Sequence, residues 1–432
     1  MSKQGYPSYE AYYNDVAKAA IEDCTLCGEC ARNCPIFPYT PISDKSPEDV
    51  MESVIDFLRN GAYSEEVYIK AFTCNECGNC SELCPQGIDV MLLHEVVKIG
   101  LEKQNKLPES VNFVLPGRRP NLYETLSALQ LKPSDKRWLN KIPQNPRKAE
   151  NVVFLGCFLP ALPHVSFAFL DVLEGMGVDF ITLAGDELCC GTSLCPAAGK
   201  VEESEKKARE LVEGITRLSP ERVLLLCTGC YRQFTEFFPK YLDVDFDVQY
   251  YTRFLLDNLE KMDFTNSLDE TVVLHESCMT KRTGVYESAK RLLNTIPGLN
   301  LTEMRSPSEQ EQTLCCGGLS NMTYPQMSEK RRSTLVEEIA KKKADNVVSP
   351  CPFCQLALYP HTRQHAFGVE NIPALINRAM GGIEYEDKLG NYWGCNSVGD
   401  VIEKSREYFV ANGYTEEEMS QMLPLLFPFS AG

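Results

Sequence analysis

The chain has 432 residues, 44% apolar and 24% charged, enough for two or three packed domains and too apolar for a disordered tail. Sixty acidic against 43 basic side chains leave a net charge of −17, which argues against nucleic acid or anionic lipid as the main partner, since both need a basic footprint. The most apolar stretch, 152–173, is broken by Pro160, Pro163, His164 and Asp171, so no membrane span is expected, and the first residues, MSKQGYPSYE, carry no apolar core of an export signal.

The first unit is expected over residues 1–105. Tyr9, Tyr12, Tyr13, Val16, Ala17 and Ala20 recur at helical spacing and predict an amphipathic helix leading into a cysteine group. That group is Cys24-x2-Cys27-x2-Cys30-x3-Cys34-Pro35, and it is repeated as Cys74-x2-Cys77-x2-Cys80-x3-Cys84-Pro85. Between them, Ser46 reads as an N-cap, Pro47 as the first helical residue, Asp49 as the closing member of a capping box and Gly61 as the stop. A further helix is predicted over 88–103.

Residues 106–150 change character, with six prolines and nine basic against four acidic side chains. They read as a Pro-rich basic linker with solvated charges, the sharper alternative being a strap across the acidic first unit. Residues 151–380 contain a duplication. NVVFLGC (151–157) matches TVVLHESC (271–278), ELCCG (187–191) matches TLCCG (313–317), and RVLLLCTGC (222–230) matches NVVSPCPFC (346–354). The offsets between the matched cysteines are 121, 126 and 124 residues, so the repeats are placed at 151–270 and 271–380. Short Val/Leu/Ile runs alternate with helical stretches such as 200–218 and 326–343, which predicts α/β units with a mainly parallel sheet. Cysteines follow the strand-like runs, at the carboxyl ends where open sheets bind ligands. Residues 381–432 form a C-terminal extension ending in MLPLLFPFSAG, too short to span a bilayer and expected to tuck against the core.

The chain carries 20 cysteines. With no signal peptide, clustered thiols point to metal rather than to a disulfide scaffold. In each C-x2-C-x2-C-x3-C-P run three thiolates sit on one tight loop and the fourth reaches the partner cluster. One [4Fe–4S] cluster is therefore assigned to Cys24, Cys27, Cys30 and Cys84, the other to Cys74, Cys77, Cys80 and Cys34. A pair of zinc knuckles is the competing reading, but zinc calls for neither the fourth-cysteine asymmetry nor the doubled C-P ending. Two such clusters make a wire that moves electrons singly. Each repeat presents five more cysteines: Cys157, Cys189, Cys190, Cys227 and Cys230, then Cys278, Cys315, Cys316, Cys351 and Cys354. A zinc site would leave a fifth thiol unexplained, and a dithiol relay would need one pair alone. Five soft ligands fit a larger or irregular iron–sulfur assembly.

The ten repeat cysteines, with Gly191 and Gly317 after the CC pairs, resemble the two CCG motifs of the heterodisulfide reductase family. Together with the N-terminal unit, their order resembles the D-type subunit of that family, a fusion of its C-like and B-like subunits. The resemblance spans about residues 15–380. It implies an α+β and α/β chain, with a mainly helical two-[4Fe–4S] ferredoxin-like domain followed by a duplicated α/β CCG domain. It also implies two noncubane [4Fe–4S] clusters, one per CCG motif, facing each other across the pseudo-twofold of the duplication. In the family a disulfide is cleaved between them, each sulfur being taken by an iron, which is Lewis-acid chemistry. The same order resembles iron–sulfur subunits of glycolate, lactate and anaerobic glycerol-3-phosphate dehydrogenases and a subunit of transmembrane redox complexes. Those would make the chain a non-catalytic relay for a flavin enzyme.

No flavin fingerprint and no P-loop are present, so electrons must pass through a partner, a flavoprotein or cytochrome subunit. The expected place is the cytoplasm, or the cytoplasmic face of a membrane through that partner. Cys195 and Cys395 fall outside the motifs and read as buried small hydrophobes. His275, in HESC, could donate to a cluster sulfur but reads first as a satisfied core histidine. Lys281, Arg282 and, more weakly, Arg232 are candidates for an anionic substrate arm, with solvated surface the blander reading.

Overall fold

The computed structural model describes residues 5–280, 283–304 and 315–427. Residues 9–103 are helices and turns wrapped around the two cysteine loops. The helix Tyr9–Asp23 forms where its apolar spacing predicts, buries Tyr9, Tyr13 and Ala20, and is capped by Ser8, which accepts from the Ala11 N–H. The helix Pro47–Asn60 starts on Ser46, whose hydroxyl accepts from the Asp49 N–H. It ends at Gly61, where a φ of 72° lets the glycine N–H donate back to the Phe57 carbonyl. The capping box is not closed by Asp49: the Ser46 hydroxyl instead donates to Glu48 at 2.8 Å. Glu65–Phe72 and Val90–Lys103 complete this bundle.

Residues 107–131 are largely packed, contrary to the linker reading, whereas 132–150 run mostly exposed with solvated charges, as that reading expects. Val111, Val114, Leu115, Tyr123, Leu126 and Leu129 are buried, the short helix Leu122–Ala128 being capped by Asn121. The basic residues of the segment pair outward onto the later half of the chain. Arg137 joins Asp171 and Glu174, Arg147 joins Asp179, and Lys132 joins Glu407. The strap's ion pairs therefore lie on the α/β half and the C-terminal helices, while Lys106 at its start sits 4.1 Å over the Tyr63 ring of the first unit.

The rest of the core is two four-stranded parallel sheets. The first comprises β1 (Asn151–Gly156), β2 (Phe180–Ala184), β3 (Arg222–Leu225) and β4 (Asp247–Tyr250), in the order β2-β1-β3-β4. The second comprises β5 (Thr271–Leu274), β6 (Asn300–Glu303), β7 (Asn346–Val348) and β8 (Gly368–Glu370), in the order β6-β5-β7-β8. The topologies match, and so do the registers: Val152 pairs with Ile181 and Val223, as Val272 pairs with Leu301 and Asn346. In β1, Val152 to Leu155 are all fully buried, the continuous apolar run of a parallel strand covered on both faces. The long helices Val201–Arg217 and Pro325–Lys341 occupy equivalent places, before β3 and before β7. The halves meet through helices: Pro163–Gly175 of the first packs on Ile372–Ala379 of the second, and Tyr251–Asp257 on Val285–Leu293.

In each sheet the chain reverses its direction of strand addition between the two central strands. That reversal leaves a crevice at the carboxyl ends of β1 and β3, and of β5 and β7. Cys157 and Cys227 follow the first pair, and Cys278 and Cys351 the second. The C-terminal helices Val398–Ala411 and Glu416–Leu426 bury Phe409, Met419, Leu423 and Phe427 against the core, while Leu425 is exposed. The terminal 428–432 lie outside the described residues, as do Lys281 and Arg282. Among the described residues no helix is long and apolar enough to cross a membrane.

Candidate metal centres

The two cysteine loops of the first unit share one backbone course. Leu26 and Glu76 have φ of 57° and 56°, and Gly28 and Gly78 have φ of 70° and 80°, each just ahead of a four-residue helix (Glu29–Arg32, Asn79–Glu82). Alternating left-handed residues curl the chain so that its amides turn inward, the concavity that receives anions and iron–sulfur groups. In the second loop the Glu76 N–H donates to Cys74 Sγ at 3.4 Å.

The thiols group across the loops. Burial raises the Cys30 thiol to about 11, Lys70 opposes the rise, and the neighbouring Cys24 and Cys84 add to it. Burial likewise raises Cys77 to about 12, with Cys34, Cys74 and Cys278 adding, while the Asn79 N–H works against it. Cys74 and Cys34 also bear on Cys80. So Cys24, Cys30 and Cys84 are neighbours, and Cys34, Cys74, Cys77 and Cys80 line one cavity together with Lys70 and His94. Cys27 is exposed at the rim.

In the first α/β half, Cys157 Sγ lies 4.0 Å from Cys189 and Cys190 Sγ lies 3.3 Å from Cys230, with Cys227 beside Cys230. The second half repeats this: Cys315 is beside Cys278, and Cys316 Sγ lies 3.3 Å from Cys354, with Cys351 beside it. Each CC pair is thus divided, its first thiol toward the cysteine after the first strand and its second toward the CxxC loop. The glycine that follows each pair has a steric reason. A Cβ on Gly191, at φ 92°, would meet Ser204 Oγ at 2.4 Å, and one on Gly317, at φ 70°, would meet the Ser328 carbonyl oxygen at 3.1 Å. Both serines lie on the long helix of their half, so each loop presses flat against it. The freed amides of Gly191 and Gly317 donate to Cys189 and Cys315 at 3.4 and 3.3 Å.

The two five-thiol groups are tied to each other. Thr228, between Cys227 and Cys230, donates its hydroxyl to Cys351 Sγ at 3.2 Å. The buried Tyr250 hydroxyl sits 2.7 Å from the Leu226 carbonyl and 2.6 Å from that of Pro350, the residues just ahead of Cys227 and Cys351. Phe158 and Phe353, one beside each group, stack at 4.3 Å, and Tyr123 meets both rings edge-on. Tyr123 comes from the basic strap and lies near Cys157, Cys227 and Cys189. These tyrosines and Thr228 carry no sequence signal, since each is one aromatic or hydroxyl among many. Lys70 could have been flagged as a lysine inside an apolar helix stripe.

Two expectations change. Arg232 is neither solvated nor free for a substrate: it is 4% exposed and pairs with Glu76 and Glu95, both at 2.7 Å. His275 is fully buried beside Cys316, whose thiol is the neighbour its imidazole can donate to, so it sits with the CC pair rather than being satisfied within the apolar core. Cys195 and Cys395 are buried, as small hydrophobes should be.

The residues fit iron–sulfur clusters. The donors are thiols with no disulfide among them. The Nδ1 of His94, on the cavity of Cys34, Cys74, Cys77 and Cys80, is buried without a hydrogen-bond partner.

Comparison with known proteins agrees. Residues 19–88 match the 4Fe-4S dicluster domain, and residues 152–235 and 272–359 both match the cysteine-rich CCG domain. The chain belongs to the CCG-domain iron–sulfur proteins and is an iron–sulfur electron-transfer protein of the oxidoreductase class. Within that class it is similar to the D subunit of the dihydromethanophenazine:CoB–CoM heterodisulfide reductase of Methanosarcina acetivorans, at 26% identity over 84% of this chain and 94% of that one. It is 24% identical to the B subunit of the fumarate reductase (CoM/CoB) of Methanothermobacter marburgensis, over 85% of this chain and 73% of the relative. An EtfAB:quinone oxidoreductase of Syntrophomonas wolfei is 21% identical over 77% of this chain and 54% of its own length.

Proposed function

We propose that the chain is the disulfide-reducing subunit of a larger redox complex, with four iron–sulfur clusters. Two are cubane clusters held by Cys24, Cys27, Cys30 and Cys84 and by Cys34, Cys74, Cys77 and Cys80. Two are noncubane clusters held by the five cysteines of each repeat. The observation that carries this reading is the pairing of the two five-thiol groups through Thr228, Tyr250 and the Phe158–Phe353 stack. Reducing a disulfide takes two electrons and two protons and yields two thiols, so two facing redox stations suit it. When bound, the clusters supply one-electron transfer and iron as a Lewis acid for sulfur. The chain's own part is to hold the two stations at fixed separation, to exclude water with Phe158, Phe353 and Tyr123, and to feed them from the first unit, whose Cys77 lies near Cys278. The donor would be a flavoprotein or cytochrome subunit, placing the complex in the cytoplasm or on the inner face of a membrane through that partner.

Anaerobically prepared protein should contain about sixteen irons, four in each cluster, and little zinc. With a reduced dye as donor it should release thiol from a disulfide. Iron-replete protein that turns over no disulfide would refute the catalytic reading. Cys316→Ser should abolish thiol release while leaving the ferredoxin-type signals intact. The likeness to an EtfAB:quinone oxidoreductase favours a second reading, a relay between a flavoprotein and a quinone-side partner. Reduction by a flavoprotein with no disulfide turnover would select it.

A further inference from the structure

Lys70 is 4% exposed and stands between the two thiol sets of the first unit. It lines the cavity formed by Cys34, Cys74, Cys77 and Cys80, and Cys30 of the other set also bears on it. Its strongest charged neighbours are all cysteines, and its ammonium lies 5.6 Å above the Phe37 ring. A buried ammonium without a carboxylate partner is costly, and proteins keep one only where some other negative charge meets it. Lys98, also 4% exposed, approaches Cys74 while its ammonium donates to the Pro196 carbonyl at 2.7 Å. Glu76, the carboxylate that bears on Cys74, is turned to Arg232, which it shares with Glu95. The positive field is therefore uneven. Two buried lysines face the set of Cys34, Cys74, Cys77 and Cys80, and one reaches the set of Cys24, Cys27, Cys30 and Cys84.

We propose that Lys70 is a positioning residue for charge, which raises the reduction potentials of both N-terminal clusters and makes the cluster at Cys34, Cys74, Cys77 and Cys80 the easier of the two to reduce. Adding an electron to a cluster adds negative charge, and a fixed cation in a low-dielectric interior stabilises that state far more than it would in water. Electrons entering at the outer cluster, whose Cys27 is exposed, then run downhill to the inner one, whose Cys77 lies near Cys278. The proposal rests on the reading of these thiols as cubane ligands.

The test is an anaerobic redox titration of the full, iron-loaded chain, followed by electron paramagnetic resonance. In wild type the two N-terminal clusters should give separate one-electron steps, told apart from those of the five-thiol groups by their ferredoxin-type signals. In Lys70→Met, the ratio of reduced to oxidised inner cluster at a given potential should fall at least tenfold, which is about 59 mV for one electron. The outer cluster should fall less, so the steps draw together, and Lys70→Arg should leave both ratios within about twofold of wild type. Lys98→Met, which keeps Lys70, should lower the inner step alone and serves where Lys70→Met does not assemble. Unchanged steps in Lys70→Met, or in Lys98→Met where that serves, at wild-type iron content overturn the proposal. Wild-type protein without iron or without reducible cluster signals overturns the reading beneath it.

Discussion

Arg232 is the residue whose removal should be felt most widely. Its guanidinium donates to Glu76 and to Glu95, both at 2.7 Å, and reaches Glu236 at 3.4 Å. The side chains of Arg232, Glu76 and Glu95 are 4%, 3% and 0% exposed. Glu95 has a second donor in the Tyr13 hydroxyl, and burial already pushes its carboxyl above the usual range, with Arg232 the main force holding it down. Arg232→Met keeps the aliphatic bulk against Phe237 and removes the charge, leaving two buried carboxylates unpaired. Breaking a buried pair from one side costs about 3–5 kcal/mol, and Glu95 can relieve part of it by taking a proton. The expected loss is thus about 4 kcal/mol in urea unfolding of the iron-loaded protein at neutral pH. Adding Glu76→Gln and Glu95→Gln to Arg232→Met should restore most of it, because the penalty comes from the stranded charges. A loss below about 1 kcal/mol, or losses that simply add in the triple variant, would refute the argument. Iron content gives a second readout, since Arg232 follows Cys230 by two residues and Glu76 lies between Cys74 and Cys77.

Burial raises the Glu370 carboxyl to about 7, against the pull of the Asn371 N–H and Arg378. Its contribution to stability is therefore intact below the ordinary carboxylate range and is lost as pH rises through about 7. Glu370→Gln should stabilise the protein by about 1–3 kcal/mol at pH 8 and hardly at all at pH 4.5, read as thermal midpoints across that range. Tyr250→Phe strands the carbonyls of Leu226 and Pro350 and should cost about 1–3 kcal/mol in urea unfolding, with iron retained. Gly156 has φ 63°, and a Cβ there would sit 3.0 Å from Cys230 Sγ; Gly156→Ala should lower iron per chain by impairing the first repeat's site, while the cubane signals persist.

Much of this molecule is readable from spacing alone. The doubled C-x2-C-x2-C-x3-C-P run fixes its own backbone, because three thiols two residues apart leave the chain few ways to turn, and both loops take the same left-handed steps at Leu26 and Glu76. The repeat is legible because parallel strands buried on both faces must be continuous apolar runs, as 152–155 (VVFL) and 272–274 (VVL) are. The segment 106–150 misleads in its first part alone: Val111, Tyr123 and Leu126 pack while 132–150 stay exposed, and composition averages the two. Arg232 misleads for the opposite reason. A single arginine after a cysteine looks like surface, and its partners Glu76 and Glu95 lie more than 130 residues away, where no local pattern can report them.

The second cysteine loop binds the first unit to the rest of the molecule. Within three consecutive positions it touches both halves of the α/β core. The Asn75 side chain accepts from the Leu319 and Ser320 amides at 3.1 and 3.2 Å, just beyond the Cys315–Cys316 pair. Glu76 binds Arg232 beside Cys230 of the other repeat, and Cys77 lies near Cys278. A loop that merely carried electrons would need one such neighbour. Three grips on two repeats mean that the inner thiol set cannot shift relative to either five-thiol group without breaking buried polar contacts, each expensive in a dry interior. The repeats themselves are not equivalent. His275 stands beside Cys316, whereas the matching position in the first half, after the aligned strand residues Leu274 and Phe154, is Leu155. The duplicated fold keeps all ten cysteines, yet gives one half alone a buried imidazole beside its CC pair and a thiol that bears on Cys77. With clusters held in both five-thiol groups as proposed, the second repeat should be reduced before the first; rapid-freeze spectroscopy of His275→Leu should show that order reversed or slowed, and an unchanged order would refute the expectation.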